Sequence, residues 1–302
     1  MILLKQLMEL FVIMALGYFM ARKKILSGET VKDISWMIVN VTNPALILSG
    51  LGDIGGSIDI RSIGIAIGLA VVIFLFLILL AEPLSRLFAM DNDETGTYKL
   101  MLVFSNFGFM GFPLIKTMFG AEGILYASVF CIPFDMLMYT YGVAVISREK
   151  QKLPLKNILN LGVIASLLLI AGILADIQLP EMLGEMISML SGLTAPLSMM
   201  VIGAAMYGMP LAQTMRDKRM IRFYVVRMVI IPVICSILLA CFVRSNVLKG
   251  ISVVLCSAPV ASMCAMFTQQ YGGSYELASR SVVATTLLSV VTMPVMFVIA
   301  GL

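Results

Sequence analysis

Ser105 and Asn106 stand in the run VFSNFGFMGFPLI, Val103–Ile115, which is otherwise almost wholly apolar. Their side chains offer hydrogen-bond donors and acceptors, and Gly108, Gly111 and Pro113 follow where a continuous helix would want none of them. A second run, SAPVASM, Ser257–Met263, repeats the pattern with Ser257, Ala258 and Pro259. Such residues can recognise a ligand through exposed peptide groups and small polar side chains. They are poorly suited to proton transfer or metal-assisted hydrolysis. The chain has no histidine, which removes the commonest general base and metal ligand, and it carries no HExxH pattern and no nucleophile beside a plausible base. Cys131, Cys235, Cys241, Cys256 and Cys264 all fall in apolar runs without metal-ligand spacing and read as small core residues. Neither an enzyme nor a cofactor is expected.

Further polar residues lie inside apolar runs. Asp135 in CIPFDMLMYTYG and Arg227 in FYVVRMVIIP are ionisable, and intramembrane charge is expensive enough to suggest a function. Asp135 could bind a coupling proton or cation, or be the structural partner of a hydroxyl or of Arg227. Arg227 could attract an anion, or snorkel to the nearby cytoplasmic end of its span. Asn43 precedes Pro44, with Asn40 about one turn earlier on the same face; ligand contact and an interhelical hydrogen bond are both open to them. Gln269 and Gln270 join Asp135 as coupling candidates, or act with Thr285, Thr286 and Ser289 as hydrogen-bonding groups between helices.

The elements that must position these residues follow from composition. Of 302 residues, 60% are hydrophobic and 13% charged, with mean hydropathy +1.03, far outside the soluble range. A span needs about 20 mostly apolar residues. Ten such segments can be laid down, near 4–22, 34–51, 62–82, 99–119, 122–146, 157–175, 182–207, 221–243, 249–270 and 275–301. Lys5, Glu9, Arg22 and the lack of a small-residue cleavage site mark the first as a retained span rather than a signal peptide. Lysine and arginine divide about 15 to 5 between the two sides, which orients both termini away from the cytoplasm. The net charge of +4 then reflects anchoring to anionic lipid of the cytoplasmic membrane rather than nucleic-acid binding.

A shift of about 152 residues superposes the two halves. It sets VTNPALILSG, Val41–Gly50, on LTAPLSMMVI, Leu193–Ile202, with Thr42 on Thr194 and Pro44 on Pro196. It also sets Ser105 on Ser257, Asn106 on Ala258, and FGAEGIL, Phe119–Leu125, on YGGSYEL, Tyr271–Leu277. Five spans per half make the repeats inverted, with residues 1–150 forming one and 151–302 the other. Inverted-repeat carriers bind substrate where helices are discontinuous, and unpaired backbone is tolerated in a membrane only where protein or a water-filled cavity satisfies it. Pro44, Gly111, Pro113, Pro196 and Pro259 are the expected helix-breaking residues.

The stretches TNPALI, SNFGFMGFP, APVASMCAMFTQQYGGSYELAS and TTLLSVVTMP resemble the auxin efflux carrier family, in its bacterial branch of malate and malonate permeases. The resemblance covers essentially the whole chain. It implies an all-α integral membrane fold, similar also to bile-acid symporters, of ten helices in two inverted five-helix repeats. Helices four and nine would cross where each is broken. Spans one, two, six and seven would form a scaffold beside a transport unit built from the rest. Substrate contact would fall to Asn106 and to the backbone around Ser257 and Pro259, with Asn43, Ser105, Gly108 and Ala258 nearby. The expected function is a permease for a small organic anion, a mono- or dicarboxylate, working by alternating access. The alternatives are a sodium- or proton-coupled symporter or antiporter of related fold, and a membrane sensor without flux. A homodimer is an open assembly. Two departures from plant carriers, the short connection Ser147–Lys156 and alanine at Ala258, argue against auxin itself as the substrate.

Overall fold

The computed structural model describes residues 2–53, 60–147, 159–175, 177, 179–207 and 217–302. Among the described residues all regular structure is helical, and the β-type pairing is one isolated bridge, Ser105 with Val260. Among the described residues five helices are long and apolar enough to cross a bilayer: Arg61–Phe88, Phe107–Ile146, Glu181–Met206, Lys218–Phe242 and Tyr275–Ile299. A 25-residue helix extends about 37 Å, more than the roughly 30 Å of hydrocarbon it must cross. Leu161–Leu174 and Asn246–Ser257 are shorter apolar helices. Large aliphatic and aromatic side chains stand on the surface, with Leu79 72% and Phe242 80% exposed, which suits a protein solvated by lipid tails. Several of the basic residues that set the sequence-based orientation, among them Arg148, Lys150, Lys152, Lys156 and Arg216, lie outside the described residues.

Glycine ends the fourth and ninth sequence segments. Gly120 (φ 60, ψ −145) kinks the Phe112–Leu137 helix into two, and Gly272 (φ 118) with Gly273 (φ 96) closes the helix Ser262–Tyr271. These left-handed conformations are strained for any residue with a Cβ. The matched runs FGAEGIL and YGGSYEL are therefore matched turns.

Proline acts differently from expectation at Pro44, Pro113 and Pro196. Three π-helical turns, Ile38–Thr42, Phe107–Gly111 and Val226–Ile230, each end two residues before a proline: Pro44, Pro113 and Pro232. Proline removes one N–H and its ring collides with the carbonyl four residues back, and in each case that carbonyl lies in the widened turn. Pro44 and Pro113 thus sit in the first turn of resumed α-helices, and Pro196 lies inside the helix Thr194–Met206. Gly111 also belongs to a π turn and not to the break. The true interruptions are shorter, Phe104–Asn106 and Ala258–Ala261.

Contacts divide the chain into two compact units, each drawing on both halves of the sequence. The first comprises Met1–Gly68, Gly108–Pro133 and Leu159–Gly208; the second comprises Leu69–Phe107, Phe134–Ile158 and Met209–Leu302. The grouping differs from the division that the family resemblance implies in that residues 62–68 and 108–133 belong with the first unit. Within the first unit the helices Ile2–Arg22 and Thr194–Met206 touch backbone to backbone. A Cβ at Gly17 would lie 2.2 Å from the Met200 carbonyl oxygen, and one at Gly203 1.9 Å from that of Met14. Small residues permit such close approach in membranes, where packing replaces the hydrophobic effect as the source of association. Beside them Thr194 Oγ1 donates to the Thr42 carbonyl at 2.8 Å. Within the second unit, the rings of Phe74, Phe104 and Phe134 pack with centroids 5.4–6.3 Å apart.

Gly203→Val should force the two helices apart, since overpacking costs about 1–3 kcal/mol even in forgiving cores and here the obstacle is backbone. A thermal midpoint several degrees below wild type in detergent is the expected result. Gly64→Ala, where a Cβ meets nothing within 4 Å, should leave the midpoint unchanged.

Candidate functional site

In the second unit the helices Asn92–Val103 and Asn246–Ser257 both end on extended residues, Phe104 (φ −103, ψ 119) and Ala258 (φ −60, ψ 151). The two interruptions satisfy each other. Asn106 N–H donates to the Pro259 carbonyl at 2.7 Å, and Ala261 N–H donates to the Phe104 carbonyl at 3.1 Å. This reciprocal exchange flanks the antiparallel bridge between Ser105 and Val260. The Val260 N–H donates to Thr285 Oγ1 at 3.0 Å, and that hydroxyl donates in turn to the Ser281 carbonyl at 2.6 Å. Peptide groups that would be unpaired in hydrocarbon are thereby paired within protein.

Arg227 supports the bridge. It lies in the π turn Val226–Ile230 and is 1% exposed. Its Nε donates to the Met101 carbonyl at 3.0 Å and its Nη1 to the Cys256 carbonyl at 2.9 Å. Both acceptors belong to the last turns of the helices that end at the breaks, where carbonyls lack intrahelical donors and carry partial negative charge. The planar fork of a guanidinium can serve both ends at once. Of the two readings open to Arg227, snorkelling is not what the structure has: the interrupted helices hold it inside by offering carbonyl acceptors.

Three polar atoms at the breaks remain without a protein partner: Ser105 Oγ, Asn106 Nδ2 and Ser262 Oγ. Ser105 is 1% exposed and Asn106 4%. Ser257 Oγ donates to the Val253 carbonyl at 2.6 Å, so its proton is committed while its lone pairs are not. Ala258 and Pro259 contribute backbone. Beyond the first break, a Cβ at Gly108 would meet nothing within 4 Å.

Of the residues singled out from sequence, Ser105, Asn106, Arg227, Ser257, Ala258 and Pro259 come together in the second unit, and Asn43 and Gly108 belong to the first. Asn43 opens the helix Asn43–Leu48 with its Oδ1 buried and unpartnered, and Asn40 Nδ2 bonds its own helix at the Trp36 carbonyl at 2.9 Å. Asp135 is half-buried on the helix Phe112–Leu137. Gln269 and Gln270 are exposed at the far end of the helix Ser262–Tyr271, roughly 10 Å along the axis from its start. Sequence reading passed over Ser262 and Lys116. Ser262 stands in the quoted run SAPVASM immediately after the break, and that position was its signal. Lys116 lies within the fourth apolar segment, in no motif that marks it. In the first unit its Nζ donates to Ser49 Oγ at 3.2 Å and to Ser191 Oγ at 3.3 Å, beside a cavity of about 300 Å³ lined also by Glu181, Glu185 and Ser188.

Long apolar helices and a lipid-facing surface define a multi-pass membrane protein. A family model described as "Membrane transport protein" matches residues 2–297, so the chain belongs to that family, the auxin efflux carriers. It is similar to an uncharacterized transporter of Methanocaldococcus jannaschii, 26% identical over 291 residues and 92% of each chain. It is also similar to an uncharacterized transporter of Methanothermobacter thermautotrophicus, 22% identical over 302 residues, 97% of this chain and 96% of the relative.

Thr285→Val should destabilise the crossover by leaving the buried Val260 N–H unpaired, at a cost of about 1–3 kcal/mol. Thr285→Ser keeps the acceptor and should keep most of the stability. Thermal unfolding of both variants in detergent checks this, and equal midpoints would remove Thr285 from the support of the break.

Proposed function

We propose that the protein is a secondary carrier for a small organic anion, a mono- or dicarboxylate, which binds at the crossover and moves by alternating access. One observation carries the reading: Ser105 Oγ and Asn106 Nδ2 are buried without a protein partner where two interrupted helices meet. An unpaired donor in such a place costs free energy unless a ligand or water satisfies it. The Asn106 amide can donate to a carboxylate, and the helices resuming at Phe107 and Ser262 begin there with the partial positive charge that favours anions.

The proposed architecture is ten membrane-spanning helices in inverted repeats, residues 1–150 and 151–302, with both termini outside the cytoplasm and the chain in the cytoplasmic membrane. Two contacts support the repeats. Thr42 and Thr194, joined by a hydrogen bond, are 152 positions apart, as the sequence shift requires of residues meeting near a twofold axis. The exchange of hydrogen bonds about Ser105 and Val260 has the same reciprocity. Its spacing is 155, so at the crossover Asn106 is the mate of Ala261, three residues beyond the Ala258 expected from the uniform shift. Asp135, half-buried on a long apolar helix, supports a second reading in which transport is coupled to a proton or sodium ion.

Asn106→Ala tests the leading reading. The variant should remain monodisperse and lose at least about tenfold in carboxylate affinity, the consequence of a lost ligand hydrogen bond. An interhelical hydrogen bond is worth only about 0.6 kcal/mol on average, so wild-type affinity and flux in liposomes would return the break to a purely structural role. Asp135→Asn should shift the proton or sodium dependence of uptake if that residue couples transport. An unchanged dependence would confine Asp135 to packing.

A further inference from the structure

We infer that the cavity beside Lys116 binds a small zwitterion, an amino acid whose carboxylate lies on Lys116 and whose ammonium lies on Glu181 and Glu185. The inference goes beyond the crossover. Every residue that lines this cavity belongs to the first unit, whereas Ser105 and Asn106 belong to the second.

The way Lys116 is held places the anionic group. Its ammonium has three N–H donors, and two of them are taken, by Ser49 Oγ at 3.2 Å and Ser191 Oγ at 3.3 Å. Both serines are buried, and each commits its own proton to a helix carbonyl, Ser49 to Leu46 at 2.8 Å and Ser191 to Ser188 at 3.0 Å. They therefore turn lone pairs to the ammonium and hold it in place. Hydroxyls satisfy donors but do not neutralise charge. Lys116 is half-buried and forms no ion pair among the described residues, so its charge and its third donor are left to an anion that enters the cavity. A carboxylate there makes a charge-assisted hydrogen bond, with Ser188 in the lining as a further hydroxyl.

Two glutamates place the cationic group. Glu181 and Glu185 stand one turn apart on one face of the helix Glu181–Gly192, and both line the cavity. Neither forms an ion pair among the described residues, with Lys116 or with any other group. Both signs of charge thus line one cavity without meeting. A plain carboxylate would satisfy Lys116 and stand against two further carboxylates; a plain amine would satisfy the glutamates and stand against the ammonium. A zwitterion offers each side the opposite sign, and the like-charge contacts reject ligands that lack one of the two groups. The volume of about 300 Å³ lies at the small end of the range for small-molecule sites. Gly184 helps to keep it open: it lines the cavity, and a Cβ there would meet nothing within 4 Å.

The experiment is equilibrium binding of radiolabelled alanine and γ-aminobutyrate, zwitterions that differ in the distance between their charges, to the purified full-length protein. Propionate and ethylamine, which keep one charged group each, are the competitors. At least one zwitterion should bind saturably, with both competitors at least about tenfold weaker. Lys116→Gln keeps donors for the two serines and removes the charge, and the pair Glu181→Gln with Glu185→Gln removes the carboxylates; each should lose at least about tenfold in affinity. Gly184→Leu fills the cavity from a position with room for a side chain and should abolish binding without lowering the thermal midpoint, so it decides if Lys116→Gln fails to fold. The inference is overturned if neither zwitterion binds saturably, or if propionate or ethylamine binds as well as the zwitterion, which would make the cavity a plain anion or cation site. Wild-type affinity in Lys116→Gln or in Gly184→Leu overturns it too, as does loss of zwitterion binding in Asn106→Ala, which would put the ligand at the crossover. Failure of the carboxylate reading is seen separately, as wild-type carboxylate affinity and flux in Asn106→Ala, and leaves this inference standing.

Discussion

A peptide group without a partner inside hydrocarbon costs several kcal/mol, and this constraint governs the centre of the molecule. Two helices stop partway through an apolar chain, which by itself would strand N–H and C=O groups on both. The structure resolves the conflict by making each break the partner of the other, through the hydrogen bonds from Asn106 to Pro259 and from Ala261 to Phe104. The groups that this exchange cannot reach are taken by side chains. Thr285 accepts from Val260, and Arg227 donates to the last turns on either side. A broken helix in lipid is thus a cooperative device, because removing any one of these partners exposes groups that the others cannot satisfy.

The same constraint explains why arginine can be buried there. A charge in a bilayer normally seeks the interface, and the π turn Val226–Ile230 lies in one of the long apolar helices. Two helix C-termini change the balance by concentrating negative potential and free acceptors in one place. Lysine would bring the charge, yet its single ammonium does not present a planar fork to two carbonyls. Arginine does both, and so the residue costly anywhere else in the span becomes the one that lets the interruption exist.

The sequence carried the class and the position of the helix breaks, because both follow from local signals. Hydropathy marks the spans, and a serine, an asparagine, glycines and a proline in an apolar run mark the break. Gly120 and Gly272 could be matched because a left-handed turn needs the same residue wherever it recurs. What sequence could not convey was pairing. Thr194 meets Thr42, 152 positions away, while the bridge joins Ser105 to Val260 at 155, and only tertiary contact reveals which residues pair. The direction of Arg227 was hidden for the same reason, since snorkelling and burial differ in which acceptors are near. Pro44 and Pro113 were legible as disturbances but not as remedied ones, because a widened turn leaves no mark on composition. Lys116 carries no local signal, because its partners Ser49 and Ser191 lie 67 and 75 residues away.

Symmetry of backbone with asymmetry of side chains follows from how these demands divide. The hydrogen bonds of the bridge use main-chain atoms, so either half can supply them with nearly any residue, and alanine at Ala258 and Ala261 is sufficient in the second half. Chemistry is then free to concentrate where it is needed. Asn106 and Ser105 in the first half keep polar atoms that the bridge does not consume. In the second half the polar work goes to residues behind the break, Arg227 and Thr285, which hold the backbone in place. One interruption therefore keeps unpartnered polar side chains while the other is held in place by the residues behind it.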